Sequence, residues 1–370
     1  MPDFLPAPTD MAQAAAALNA FLADTPKDAR IVCLHDCDAD GVAAGVVWQR
    51  AMERLGCADL RRVIPDRERN AWTDENRRRV ADALDGSSDE DAIRAPGSAG
   101  GRRLFVLDLG SQARQVAPGV RTCYIDHHRP EGVSAGDLLI SGYEWDPIPN
   151  TSLMAYDLFG ALTDIDDLDW VAAIGTFSDL GERAPFSLID AAKKKYTAKY
   201  LKEATSLVNA ARRASRYEPE VAAEALLAYA SPRELVLAAD ARLDRLREDR
   251  AEVSAELAEA KKAAPLFAGQ VALIRIHSRC QIHPLIAQIW RTRLPKYIVI
   301  CANDLFMPDR VNFSVRTHGS VNVLKFLGDI ELDLPEGQGN YGHGHDAASG
   351  GSLSPAQWKR FLEALGFQER

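Results

Sequence analysis

Short apolar runs that end on aspartate, separated by helical patterns, constrain this chain more than any other feature. Arg30–His35 (RIVCLH), Leu60–Ile64, Leu104–Leu107 (LFVL) and Thr122–Ile125 (TCYI) are too short for buried helices and read as strands. A helix capped by Thr9 or Asp10 runs to about Ala23, and further helices are expected over Gly41–Leu55 and Thr73–Leu84. Strands that are apolar on both faces and alternate with helices predict a parallel sheet with helices on either side.

In such sheets ligands bind beyond the carboxyl ends of the strands, and this chain places its acids there. Asp36, Asp38 and Asp40 lie within five residues directly after the first strand, in HDCDADG. Carboxylates this close repel one another and raise each other's pKa unless a cation neutralises them, and hard divalent cations prefer oxygen ligands. Asp108 follows LFVL, and Asp126-His127-His128 follows TCYI. Asp179 closes Gly175-Thr176-Phe177-Ser178-Asp179 at the end of a helical stretch. Repetition of acids at strand ends points to a metal site rather than to a solvated acidic loop.

Beyond Thr151 the pattern is helical to about Ala264. Leu243, Leu246, Val253, Leu257, Ala260 and Ala264 form one stripe, and a single helix over Pro232–Ala264, about 45 Å long, is expected. A second strand–helix alternation follows, with strands at Val271–Ile276, Lys296–Cys301 and Val311–Val315 and helices at His283–Arg293, Val321–Leu327 and Ser354–Leu365. Asp85–Gly101 reads as a mobile surface loop, and Gly337–Gly351 as a glycine loop. The chain is therefore expected to form an α/β parallel-sheet domain over residues 1–190, a helical connector over 191–265 and a smaller α/β domain over 266–370, with the active site in the cleft between the domains.

The 370 residues carry 44 basic and 53 acidic groups, a net charge of −9. That balance argues against non-specific binding to long nucleic acid, which needs a broad basic surface. Runs such as Arg77-Arg78-Arg79 and Lys193-Lys194-Lys195 read as solvated faces. The six cysteines form no CxxC pair, and Cys33, Cys123 and Cys301 read as buried thiols of a reducing cytoplasm. No apolar run of membrane-spanning length and no signal peptide is found.

Taken in order, Asp-x-Asp-x-Asp-Gly, a strand-end Asp, Asp-His-His and Gly-Thr-x-x-Asp resemble the motifs of the DHH phosphoesterase superfamily. GHGHDAASG and Phe313-Ser314-Val315-Arg316 resemble the glycine–histidine loop and Ser-x-Arg strand of the DHH-associated C-terminal domain. The resemblance covers roughly residues 28–365. It implies two divalent cations, Mn2+ first and Mg2+ or Co2+ as substitutes, held by Asp36, Asp38, Asp40, Asp108, His127 and Asp179. Asp108 would bridge them, Asp126 would hold the histidine pair and His128 would face the scissile phosphate. Whether His35 joins the ligands is left open, because relatives with a histidine ligand place it where this chain has Leu34. Arg316 and His345 would grip substrate phosphates, with glycines such as Gly344 admitting backbone N–H groups and Arg316 a bidentate contact; His343 is extra to the family loop, and Ser278, at another strand end, is a secondary candidate for the same grip.

The family further implies a cytoplasmic phosphodiesterase or exonuclease. It would cut single-stranded nucleic acid or short oligonucleotides to mononucleotides, using a hydroxide activated by two metals. The long connector is similar to that of the RecJ branch, but its Pro-Arg-x-Asn-Ala-x-Gly-Arg motif is missing and the chain leaves no room for an OB-fold. Both departures favour the short substrates of the nanoRNase branch. A cyclic dinucleotide phosphodiesterase is the nearest alternative. A non-catalytic scaffold of the replication-helicase type is the alternative from a different class, and the presence of every acidic ligand argues against it.

Overall fold

The computed structural model describes residues 8–86, 101–319, 321–330, 332, 341–345 and 347–367. The loop expected at 85–101 lies almost wholly outside these residues. The chain divides into two compact units, Met1–Ala211 with Glu218–Leu246, and Arg212–Tyr217 with Arg247–Arg370.

The first unit contains α1 (Met11–Ala23), β1 (Arg30–His35), α2 (Ala39–Arg54), β2 (Asp59–Val63), α3 (Asp74–Asp85), β3 (Arg102–Leu107), β4 (Thr122–Asp126) and β5 (Leu138–Ser141). Helices α4 (Thr151–Gly160), α5 (Asp169–Asp179), α6 (Ser187–Tyr196), α7 (Ala198–Arg213), α8 (Pro219–Ala228) and α9 (Pro232–Leu237) follow, and α10 (Ala241–Ala260) begins in this unit; the last two residues of α7 and the part of α10 from Arg247 on are counted in the second unit. Asp10 caps α1 by accepting from Gln13 N, and Thr73 caps α3 in the same way through Asn76 N.

The sheet is five-stranded and parallel throughout, in the order β2-β1-β3-β4-β5. Successive residues of each strand point to opposite faces, and both faces are covered. Ile31, Cys33, Phe105, Leu107, Cys123 and Ile125 pack with α1, α2, α4 and α5. Val32, Leu34, Leu104, Val106 and Tyr124 pack with Val80 and Leu84 of α3. This is why the strands read as unbroken apolar runs. The first core is centred on Phe105, whose ring centroid lies 5.5 Å from Phe21, 5.7 Å from Trp48 and 6.4 Å from Phe159.

The single helix expected over Pro232–Ala264 is broken. Ala238 is extended (ψ 147°), and α10 restarts on Asp240, whose carboxylate accepts from Leu243 N at 3.0 Å. Tyr229 also donates to Asp240, at 2.5 Å. A capping aspartate competes with helix continuation through its hydrogen bonds to nearby backbone. The 20 residues of α10 span about 30 Å rather than 45 Å.

The second unit adds β6 (Leu266–Ala268), β7 (Val271–Ile276), α11 (His283–Arg293), β8 (Ile298–Asn303), β9 (Val311–Arg316), α12 (Val323–Gly328), β10 (Tyr341–His345), β11 (Ala348–Leu353) and α13 (Pro355–Ala364). Its mixed sheet has the order β10-β11-β9-β8-β7-β6, with β7 and β8 parallel. Part of the expected glycine loop is thus an antiparallel strand pair, in which Ala348 also registers with Arg316. Glycine is depleted in strands, so composition hid the pair. A Cβ on Gly350 would lie 2.3 Å from Phe313 O, which requires glycine there. The six cysteines form no disulfide, and Cys33, Cys123 and Cys301 are buried. No helix among the described residues is long and apolar enough to cross a membrane.

Because Phe105 joins three aromatic partners at the centre of the first core, Phe105→Ala should destabilise the first unit by about 3–5 kcal/mol. Guanidinium unfolding followed by tryptophan fluorescence measures this, and a loss under about 1 kcal/mol would contradict the packing described.

Candidate metal centre

Strand order positions the centre. The order reverses between β1 and β3, the point where open α/β sheets bind ligands. His35 registers with Leu107, and Leu107 with Ile125. One step further along come Asp36, Asp108 and Asp126, side by side. Asp36 N donates to Leu107 O at 3.1 Å, and Asp108 N to Ile125 O at 3.3 Å. Asp108 turns away at φ 64°, in the left-handed region that Asp tolerates better than most residues.

Helix α2 begins against this edge. Asp38 caps it, accepting from Asp40 N at 3.1 Å and Gly41 N at 3.2 Å. A Cβ on Gly41 would lie 2.6 Å from Asp36 Cβ, and one on Gly45 would lie 2.3 Å from the His35 ring. Both glycines let the helix approach the strand end. His35 is buried, its Nδ1 lies 2.8 Å from Asp36 O, and burial with Arg62 pulls its pKa to about 3. It belongs to none of the candidate metal-binding groups among the described residues.

Asp40 is fully buried and held by the start of α4. Its Oδ1 accepts from Asn150 Nδ2 at 2.5 Å and Ser152 N at 2.8 Å, and its Oδ2 from Thr151 N at 2.9 Å. A helix N-terminus favours an anion. Thr151 Oγ1 donates to Asp108 Oδ1 at 2.9 Å, so one turn orients two acids. The Gly-Thr-x-x-Asp segment of α5 packs behind them. A Cβ on Gly175 would lie 2.1 Å from Ser152 Oγ and 2.9 Å from Asp40 Oδ1. Thr176 Oγ1 donates to Asn150 Oδ1 at 2.9 Å. Asp179, on the last turn of α5, reaches the centre.

His127 Nε2 lies 3.3 Å from Asp108, 3.4 Å from Asp179 and 4.0 Å from Asp40. Burial, and then neighbouring His128, hold its pKa below the usual range, which keeps it in the neutral form that metal ligation needs. Asp126 Oδ1 accepts from His128 N at 2.6 Å and lies 2.8 Å from His128 Nδ1. Burial would lower His128, but Asp126 outweighs it and lifts the imidazole to about 9. Asp108 is pushed well above the usual carboxylate range by burial and then by Asp40, Asp38, Asp126 and Asp179.

Ligand atoms gather in three overlapping groups, each within 4.8 Å: Asp36, Asp38 and Asp108; Asp108, His127 and His128; and Asp40, His127 and Asp179. Mutually repelling buried carboxylates beside a neutral imidazole fit hard divalent cations. Every residue expected to be a ligand is therefore brought into one place. Arg69, Asn150, Thr151 and Ser152 were not expected there. Pro149-Asn150-Thr151 is a legible helix start, but its bonds to Asp40 span 110 residues and leave no local signal.

In the second unit Arg316 closes β9, and its Nη1 donates to Val315 O at 2.9 Å and Ser349 O at 3.1 Å. Burial and Arg291 pull its pKa to about 10. Ser278 is buried in a turn, its Oγ accepting from Cys280 N at 3.1 Å. His343, Gly344 and His345 lie on β10, paired with β11.

No family model and no curated protein matches the sequence. Solved structures match the fold. RecJ of Thermus thermophilus in complex with Mn2+ aligns at TM-score 0.64 and 19% identity over 99% of this chain, which spans 56% of that protein's length. A manganese-bound exonuclease RecJ aligns at 0.60 and 20% identity, covering 98% of this chain and 94% of the other. The DHH domain of a member of the s1p family of ribosomal proteins aligns at 0.68 and 14% identity, covering 99% and 93%. The chain shares the fold of these proteins.

Asn150→Ala should remove the one side-chain amide among the three donors to Asp40, and one of the two acceptors of the Thr176 hydroxyl, Ala172 O being the other. Leaving buried polar groups unpaired costs about 1–3 kcal/mol. Thermal unfolding and a Mn2+ titration should both show a loss, and unchanged stability with unchanged metal affinity would contradict the role given to Asn150.

Proposed function

We propose that the chain is a divalent-cation-dependent phosphodiesterase acting on short single-stranded oligonucleotides. The observation that carries this reading is the meeting of Asp36, Asp38, Asp40, Asp108, His127 and Asp179 at the reversal point of the parallel sheet. Those residues would hold the cations, with Mn2+ the first candidate and Mg2+ or Co2+ able to replace it. Bound there, cations would supply Lewis acidity that activates water and offsets charge on the phosphoryl oxygens.

The chain's own groups divide the remaining tasks. Asp108 stands in two of the three candidate groups at once. Asp126 fixes the orientation of His128, whose ring N–H suits an anionic phosphate. In the second unit, Arg316, Ser278 and the β10 residues His343, Gly344 and His345 are proposed to hold substrate phosphates. The division into residues 1–190, 191–265 and 266–370 is proposed to follow these roles: chemistry, connection and grip. Manganese bound to RecJ relatives supports the choice of metal. The net charge of −9 supports a short substrate.

Asp108→Asn keeps the shape and suits the left-handed backbone. It should lower Mn2+-dependent hydrolysis at least about 100-fold without unfolding the protein. Activity within about tenfold of wild type in excess Mn2+ would sink the assignment. Arg316→Ala should lose about 2–5 kcal/mol in kcat/KM while leaving Mn2+ affinity unchanged. Loss of Mn2+ binding in that variant would contradict the division of roles.

Substrate length is tested by end-labelled single strands, from a dinucleotide to about 30 nucleotides, at two salt concentrations. Each neutralised phosphate contributes about 0.7 to the slope of log K against log salt, so a grip on two or three gives about −1.5 to −2. Efficiency should level off beyond about five nucleotides. A steep slope with efficiency still rising at the longest strands would point to a long-strand exonuclease.

A further inference from the structure

Arg69 is the charged residue of the centre that no motif accounts for. It lies in the segment between β2 and α3, at φ 55°. Its Nε donates to Asp36 Oδ1 at 2.9 Å, and its Nη2 donates both to Asp36 Oδ2 and, at 3.0 Å, to Asp38 Oδ2. The pair is sheltered, with the Asp36 side chain 4% exposed and that of Arg69 28%. One nitrogen of a fixed cation thus stands between the two carboxylates that, with Asp108, make up one of the three ligand groups.

A divalent cation binds carboxylate oxygen at about 2.0–2.6 Å. A metal bridging Asp36 and Asp38 and the Arg69 Nη2 therefore cannot hold the same oxygens together. The group built on Asp40, His127 and Asp179 stands apart from that guanidinium, whose hydrogen bonds and ion pairs go to Asp36 and Asp38. We infer that Arg69 is an internal cation that competes with metal for the Asp36–Asp38 position, so that the two positions load unequally. The inference rests on the metal reading above and goes beyond it in assigning which position fills last and what sets the difference.

An arginine suits this role because its planar fork matches carboxylates and its charge is permanent. Metal loading at Asp36 and Asp38 then requires the guanidinium to swing away. A displaced guanidinium beside bound metal would be free to meet an anionic substrate.

The test is calorimetric titration of the full chain with Mn2+, for wild type, Arg69→Met and Arg69→Gly. Glycine relieves the left-handed backbone and covers the case in which methionine there fails to fold. Wild type should show one tight and one weaker class of site. In either variant the weaker class should tighten about tenfold or more, with the tight class unchanged. Two equal classes in wild type, or a weaker class that does not tighten in a folded variant, would overturn the inference while leaving the metal reading intact. Absence of Mn2+ binding in wild type and in both variants would overturn the metal reading itself.

Discussion

Repulsion among buried carboxylates is the interaction around which the first unit is arranged. Parallel pairing of β1, β3 and β4 delivers Asp36, Asp108 and Asp126 to one edge, and α2 adds Asp38 and Asp40 there. Water would screen such a cluster, but Asp36, Asp40, Asp108 and Asp126 are buried. Without compensation their mutual repulsion would favour protonation, which is the direction in which Asp108 moves.

The compensation is distributed among several elements. The start of α4 takes Asp40, Arg69 takes Asp36 and Asp38, and His128 takes Asp126. Burial would raise Asp126, yet His128 holds it down at about 2. Asp108 receives a hydroxyl from Thr151, along with the approach of His127. It is the acid most in need of a cation and stands in two of the three ligand groups. Glycines at 41, 45 and 175 make the arrangement compact, because each lies where a Cβ would collide with Asp36, His35 or Ser152.

Much of this was legible in the sequence, because the acids are strand-end residues and strand ends are marked by apolar runs. The parallel sheet, the helices between its strands and the placing of the acids at strand ends follow from local pattern. What escaped depends on contacts between distant segments. Asn150 meets Asp40 across 110 positions, and Arg69 reaches back 33 to Asp36. The break before Asp240 was missed because the apolar stripe begins only at Leu243 and the Ser-Pro helix start lies before the break, with no glycine or proline between them. The β10–β11 pair was masked by glycine, whose low strand preference is overridden by pairing with β9. His35 is a histidine beside the centre in sequence, yet it faces Gly45 beneath α2.

The central claim is that this edge of the sheet is a metal centre, and its most direct test is a crystal of the full chain grown with Mn2+, measured on both sides of the manganese absorption edge. The account predicts an anomalous peak within coordination distance of His127 Nε2 and of carboxylate oxygens from Asp40, Asp108 or Asp179. An anomalous map with no peak at that edge, from crystals that diffract well and contain saturating Mn2+, would contradict it.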